Sequence, residues 1–165
     1  MTIIGIDPGL ASTGYGIIRY LPDKKTKEKA FQCLEYGLIE TEPSLPIQKR
    51  LEKLYRFLVL LLKKHSPDLM AIETVYFFKN LKTVIPVSQA RGIVLLAAAG
   101  KNLDIKEITP LQVKMAITGY GSAEKPQIQE TVKLLLNLKE IPRPDDVGDA
   151  LAVAICATNE KKKIG

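Results

Sequence analysis

The sequence has few of the residues that cross-link a protein or bind soft metals. Among its 165 residues are two cysteines, one histidine and no tryptophan. Because Cys33 and Cys156 lie far apart and no secretory leader pattern precedes them, we expect no disulfide framework. His65 alone cannot build a zinc site, since such sites take several His or Cys ligands. The sequence therefore predicts a cytoplasmic protein without disulfides or zinc.

Long hydrophobic runs are also missing. The longest apolar stretch, residues 92–100, is about half as long as a membrane-spanning helix requires. No Ser- or Gly-rich linker and no internal repeat divides the chain. A chain of this length buries roughly 70% of its unfolded surface, which is enough for a core of its own. We expect one soluble domain over residues 1–165, with residues 160–165 as a frayed tail, and no contact with membranes.

Positive charge exceeds negative charge, since 24 Lys and Arg against 18 Asp and Glu give a formal net charge of +6. Such an excess favours a polyanionic partner without naming one. The surplus is concentrated between residues 75 and 125, where seven side chains are basic and three are acidic. The basic ones are Lys79, Lys82, Arg91, Lys101, Lys106, Lys114 and Lys125. We take this segment as the candidate binding surface.

Hydrophobic periodicity predicts a mixed α/β fold. Strands are predicted over residues 2–6, 13–20, 30–40, 68–74 and 103–108. The first three form an antiparallel meander, and the later two alternate with helices as strands of parallel sheets do. Helices are predicted over residues 47–65, 81–101, 110–118, 123–138 and 145–159. The expected architecture is a five-stranded mixed sheet with helices on the outside.

Two acidic side chains stand where buried strands are predicted to end. Asp7 follows the apolar run 3–6, and Glu73 follows the run 69–72. The ends of strands are where open α/β sheets bind their ligands. Each acid also has an ordinary structural explanation, because Asp before Pro-Gly forms turns and a strand-end Glu can pair with Lys. Neither acid establishes a site on its own.

Two further acids, Asp146 and Asp149, lie on the predicted last helix, three residues apart and therefore on one face. Asp145 and Asp146 also suit a helix N-terminus, where acidic side chains complement the dipole, and for Asp145 we keep that interpretation. Asp149 is harder to explain, because its surroundings in the sequence are apolar and an unpaired buried carboxylate costs several kcal/mol. We therefore expect a counter-charge or a cation beside it.

Four carboxylates without a His or Cys cluster suit hard divalent cations such as Mg²⁺ or Mn²⁺. Two such cations, about 3.5–4 Å apart, could activate a water molecule and stabilise the leaving oxygen in phosphodiester hydrolysis. If the four acids converge in space, the pattern indicates a metal-dependent nuclease. Two alternatives stay open: an ATP-handling domain of the actin and sugar-kinase class, suggested by the loop 7–14, and a non-catalytic nucleic-acid-binding module.

An ordered set of motifs resembles one known family. The motifs are Gly5-Ile-Asp-Pro-Gly9 with Thr13-Gly-Tyr-Gly16, Ala71-Ile-Glu73, Gln89-Ala-Arg-Gly92, Gly121-Ser-Ala-Glu-Lys125 and Asp146-x-x-Asp149-Ala-Leu-Ala152. Together they resemble the RuvC Holliday-junction resolvases, members of the ribonuclease H-like nuclease superfamily, over almost the whole chain. The resemblance implies a ribonuclease H-like sheet and a Mg²⁺-dependent homodimeric endonuclease. Such an enzyme nicks two opposed strands of a four-way DNA junction during recombination and repair.

The resemblance also implies roles for residues at matching positions. The catalytic, metal-binding acids would be Asp7, Glu73, Asp146 and Asp149, holding two Mg²⁺ ions for which Mn²⁺ is expected to substitute. The DNA-binding residues would be Tyr76, Lys79, Lys114 and Lys125. The helix over residues 81–101 would form the dimer interface, although its composition alone predicts a core helix.

Partners follow from the same resemblance, which suggests the branch-migration proteins RuvA and RuvB. Within the superfamily, a related nuclease acting on RNA precursors remains an alternative, because it shares a Gly-Ile-Asp-Pro-Gly-like start.

Overall fold

The computed structural model describes residues 1–22, 29–74 and 81–159. Within these ranges five strands form one sheet: β1 (Thr2–Asp7), β2 (Ser12–Pro22), β3 (Lys29–Glu40), β4 (Leu69–Glu73) and β5 (Asp104–Ile108). The helices in the same ranges are α1 (Ile47–His65), α2 (Leu81–Ala99), α3 (Pro110–Thr118), α4 (Lys125–Leu135) and α5 (Asp145–Ala157). The predicted frayed tail, residues 160–165, lies outside the described residues.

The strand order across the sheet is β3-β2-β1-β4-β5. The pairs β1–β2 and β2–β3 are antiparallel, whereas β1–β4 and β4–β5 are parallel. The predicted mixed sheet of an antiparallel meander and parallel units is therefore confirmed. In the register of β1 with β4, Ile6 lies opposite Ile72. The next residues, Asp7 and Glu73, consequently leave the sheet side by side.

Helix α5 packs directly against the centre of the sheet. Its residues after Asp149 are buried and small or aliphatic, which explains why this helix is apolar almost all round. The sheet has glycine where the helix comes closest: a Cβ on Gly5 would lie 2.1 Å from the Ala150 carbonyl oxygen. A Cβ on Gly16 would lie 2.5 Å from the Leu151 side chain. The close approach fixes the position of the middle of α5 relative to β1 and β2.

The opposite face of the sheet is covered by α1 and α2. Helix α1 buries Leu54, Leu58, Leu61 and Leu62 in this second core, together with Ile4, Ile6 and Ile72 of the sheet. The single histidine, His65, ends α1 with its Nε2 2.6 Å from Oε2 of Glu35 on β3. It therefore ties a helix to the sheet. No helix in the described ranges is long and apolar enough to cross a membrane.

Three helices, α2, α4 and α5, are shorter than the sequence pattern predicts, and local backbone features accompany the changed ends of α2 and α4. The capping box of Glu124 with Gln127 begins α4 two residues later than predicted. Asn137, with a left-handed backbone at φ 50°, follows the early end of that helix. Helix α2 ends at Ala99, shortly before Asn102, which has φ 51°. The capping box predicted at Thr109 is present and begins α3.

Candidate active site

The four acids selected from the sequence come from three elements that meet at one edge of the sheet. Asp7 and Glu73 end the parallel neighbours β1 and β4, and they lie close enough for the charge of Glu73 to raise the pKa of Asp7. Gly14 of β2 lies opposite Asp7 of β1 in the sheet. A Cβ on this glycine would lie 2.0 Å from the carbonyl oxygen of Asp146. The start of α5 therefore rests on β2 directly beside Asp7, and Asp149 follows one turn later.

Burial and the neighbouring acids raise the pKa values of Asp7 and Glu73. Burial raises the pKa of Asp7 to about 8, with further increases from the charges of Glu73, Asp149 and Asp146. Burial and the charge of Asp149 likewise raise the pKa of Glu73 to about 7. The ammonium group of Lys125 lowers both pKa values but does not cancel these effects. The cluster thus has a surplus of negative charge in a poorly solvated place.

Asp149 has the counter-charge that its apolar surroundings required. The Nζ of Lys125 lies 2.9 Å from Oδ2 of Asp149 and 3.2 Å from Oδ2 of Asp145. Burial raises the pKa of Asp149, and the bond to Lys125 opposes that increase. Burial alone would lower the pKa of Lys125, but its bonds to the two aspartates outweigh burial and raise it. Lys125 is therefore held as an ammonium group at the edge of the cluster.

Asp145 does more than begin a helix. Besides Lys125, its carboxylate accepts hydrogen bonds from Gln129 at 3.0 Å and from Arg143 at 2.8 Å. The hydrogen bond from Gln129 and the interactions with Lys125 lower its pKa. Asp145 therefore keeps Lys125 attached to α5 through a carboxylate other than Asp149.

Asp146 is held by a residue that the sequence analysis missed. The hydroxyl of Ser12, at the start of β2, donates a hydrogen bond of 2.6 Å to Oδ2 of Asp146. The two residues are 134 positions apart in the sequence. No local pattern could have found this pair, because only the docking of α5 on β2 brings them together.

The donor set fits a hard divalent cation, although the side chains are not arranged as a complete set of ligands. Among the described residues, no three His, Cys, Asp or Glu side chains form such a set. Two of the carboxylates have protein partners instead: Asp146 accepts from Ser12, and Asp149 pairs with Lys125. Carboxylate oxygens are the ligands that Mg²⁺ and Mn²⁺ prefer, and the surplus of negative charge favours a cation.

A cleft of about 380 Å³ opens beside the acids. Glu73 and Asp149 form part of its wall, and Lys114 of α3 and Lys125 of α4 form another part. Two of the predicted DNA-binding residues therefore lie beside the acidic cluster. The other two, Tyr76 and Lys79, lie outside the described residues.

The predicted binding surface over residues 75–125 is too broad, because some of its basic side chains support the fold. An Nη of Arg91 lies 2.7 Å from Oε1 of Glu107, joining α2 to β5. The Nζ of Lys106 donates to the carbonyl oxygens of Ala157 and Asn159 at 2.8 and 2.7 Å. Lys106 thus stabilises the C-terminal end of α5, where a cation complements the helix dipole.

The structure is similar to solved structures of Thermus thermophilus RuvC, one of them in complex with a Holliday junction substrate. The TM-scores are 0.87 and 0.88, with 30% sequence identity, covering 94% of this chain and 92% of each of those chains. The fold and the acidic edge of the sheet define a nuclease of the ribonuclease H-like class.

Sequence comparison identifies the family. The crossover junction endodeoxyribonuclease RuvC of Desulforamulus reducens is 53% identical over 156 residues, 94% of this chain and 92% of that protein. The corresponding protein of Ruminiclostridium cellulolyticum is 49% identical over 162 residues. Residues 3–157 match the family crossover junction endodeoxyribonuclease RuvC, and the chain belongs to this family of Holliday junction resolvases. The ATP-handling domain, the RNA nuclease and the non-catalytic module are not favoured.

Proposed function

We propose that Asp7, Glu73, Asp146 and Asp149 bind two Mg²⁺ ions and carry out the cleavage of four-way DNA junctions by a single nuclease domain. The observation that carries this proposal is the convergence of four carboxylates from β1, β4 and α5 beside a cleft with two lysines. Mn²⁺ is the expected substitute, because it accepts the same oxygen ligands.

The acids and the lysines have different proposed roles: the acids would bind the metal ions, and the lysines would bind phosphate oxygens of the DNA. Bound Mg²⁺ would supply an activated water molecule and neutralise charge on the leaving oxygen. Asp7 and Glu73 are fixed by the rigid strand ends, which limits the reorganisation needed when the substrate binds. Lys114 and Lys125 line the cleft as ammonium groups that can bind phosphate oxygens. Asp145 would remain a partner of Lys125 if Asp149 bound a cation, since Lys125 also pairs with Asp145.

Removal of the metal tests this assignment. A labelled four-way junction is incubated with the protein in Mg²⁺, then with excess EDTA, and then with Mg²⁺ or Mn²⁺ restored. We expect cleavage to stop in EDTA and to return with either metal. Junction binding, measured by gel shift at fixed salt, should persist in EDTA because Lys and Arg neutralise phosphates without metal. Cleavage that continues in EDTA would contradict the proposed metal site.

We also propose that the enzyme is a homodimer joined through α2. Among the residues of this helix whose side chains the structure describes, the exposed ones are uncharged: Ile85, Ser88, Gln89, Gly92, Leu96 and Ala99. Ile85 and Leu96 are 67% and 56% exposed, and a Cβ on Gly92 would meet nothing within 4 Å. Exposed apolar side chains on a face without charges are typical of surfaces that pack against a partner. A two-fold dimer would present two equal active sites to a nearly two-fold junction.

A charged side chain introduced on this face of α2 tests the proposed dimer, because it should prevent the two protomers from packing together. In sedimentation velocity, we expect the native protein at twice its 18.3 kDa mass and the Leu96→Glu variant at the monomer mass. Leu134→Glu is the matched control, since Leu134 on α4 is 69% exposed and lies on a different helix. This control should remain a dimer. A native protein that sediments as a monomer at micromolar concentration would refute the dimer.

Two further proposals rest on family membership. The enzyme would act in the cytoplasm, and the branch-migration proteins RuvA and RuvB would be its partners on the junction. Co-sedimentation of the protein with junctions that already carry RuvA and RuvB tests the second proposal directly, with linear duplex as the control.

A further inference from the structure

We infer that Ser12 is a positioning residue that orients the Asp146 carboxylate for cation binding, an inference that rests on the proposed function of Asp146. The hydrogen bond between them measures 2.6 Å and is donated by the serine hydroxyl to Oδ2. A hydroxyl bonded to an ionised carboxylate makes one of the stronger protein hydrogen bonds. A carboxylate has two oxygens, so a bond to one is compatible with ligation through the other.

Ser12 is itself held firmly. It pairs with Glu40 at the start of β2, and its neighbour Thr13 is fully buried. The Thr13 hydroxyl donates to the carbonyl oxygen of Gly9 and accepts the Gly9 N–H, which closes the turn between β1 and β2. The serine hydroxyl therefore approaches α5 from a backbone with little freedom to move.

The helix side of the contact is equally constrained. A Cβ on Gly14 would lie 2.0 Å from the carbonyl oxygen and 3.1 Å from the Cβ of Asp146. The backbone of β2 therefore lies against the first turn of α5, with no room for a side chain between them. What remains free at Asp146 is mainly the rotation of its own side chain, and the Ser12 hydroxyl restricts that rotation.

Loss of this bond has a defined consequence for metal binding. Without it, the Asp146 side chain must be ordered when the cation binds, and the cost appears as weaker binding. Hydrogen bonds to metal ligands typically contribute about 10–100-fold in metal affinity or activity. Ser12→Ala should therefore raise the Mg²⁺ concentration for half-maximal cleavage at least about 10-fold. Ser12→Thr should restore the native value, because threonine keeps the hydroxyl and suits a strand.

The experiment compares Ser12→Ala, Ser12→Thr and the control Ser44→Ala, which removes the hydroxyl of an exposed turn residue. Mg²⁺ titrations of junction cleavage give the half-maximal concentration. Calorimetric titration with Mn²⁺, without DNA, gives metal affinity independently of activity, and circular dichroism gives Tm. We expect Ser12→Ala to weaken Mn²⁺ binding by the same factor as it raises the Mg²⁺ requirement, and Ser44→Ala to change neither.

A double mutant separates positioning from a general structural effect. In the Asp146→Asn background, Ser12→Ala should cause no further loss of Mn²⁺ affinity, because the group that it orients is no longer a ligand. A Ser12→Ala variant with lower Tm but native Mn²⁺ affinity would overturn the inference and leave the proposed function intact. Failure of the native protein to cleave junctions would defeat the proposed function, while the Mn²⁺ titrations would still decide the role of Ser12.

Discussion

Asp7→Asn is expected to reduce junction cleavage by about 10³-fold or more, since the metal site contributes several kcal/mol and each 1.4 kcal/mol is about a factor of ten. Asparagine keeps the size of the side chain but removes the charge at the centre of the acidic cluster. Junction affinity should stay within about twofold, because phosphate contacts come from Lys and Arg. Single-turnover cleavage and gel shift measure the two quantities separately.

The matched control is Asp68→Asn. Asp68 precedes β4 at the opposite end of the sheet, where its carboxylate accepts a hydrogen bond of 2.7 Å from the N–H of Thr2. This variant should cleave junctions at the native rate. Native cleavage by Asp7→Asn would contradict the assignment, and equal losses in both variants would show that removal of any acid harms the enzyme.

Although Asp7→Asn should abolish most cleavage, the same substitution should stabilise the folded protein when metal is absent. Burial and neighbouring charges raise the pKa of Asp7 to about 8. An acid with a raised pKa destabilises the folded state as pH rises from its ordinary pKa toward the raised value. In EDTA, Asp7→Asn should therefore have a higher Tm than the native protein, with a larger difference at pH 9 than at pH 5. A lower Tm at both values would show that the acid is not under electrostatic strain.

Gly5→Ala is expected to destabilise the fold by about 3 kcal/mol or more, because overpacking against rigid backbone is among the costliest substitutions. The new methyl group would lie 2.1 Å from the Ala150 carbonyl oxygen and 2.7 Å from the Ala154 nitrogen. Helix α5 would have to move away from β1, and the acids on the helix would move with it. Urea denaturation followed by circular dichroism gives the free energy of unfolding.

Gly148→Ala provides the comparison within α5. A Cβ at this position would meet its nearest atom at 3.8 Å, an ordinary contact, so the variant should be as stable as the native protein or slightly more stable. If both alanine variants unfold at the native urea concentration, the close packing of α5 on β1 does not limit stability.

The sequence predicted the sheet and the strand-end acids well, because these follow from local patterns. Apolar runs that end in Asp7 and Glu73 define strands, and parallel neighbours place their ends side by side. The buried setting of Asp149 also predicted a counter-charge. The sequence alone did not identify that partner: Lys125 begins another helix, and only the packing of α4 against α5 brings the two together.

Two other features could not be predicted, for the same physical reason. The contact of Ser12 with Asp146 depends on the docking of α5 against β2, which no local pattern encodes. The role of Lys106 depends on where the last helix ends, and its charge alone favoured nucleic acid. Charge and periodicity are local properties, whereas the partner of a charged group is set by tertiary packing.

The most direct test of the account compares a labelled four-way junction with a linear duplex of the same sequence, each in Mg²⁺. We expect paired nicks at symmetric positions in two opposed strands of the junction and no cleavage of the duplex. Equal cleavage of junction and duplex, or junction binding without cleavage even in Mn²⁺, would contradict the claim that the four acids form a junction-resolving site.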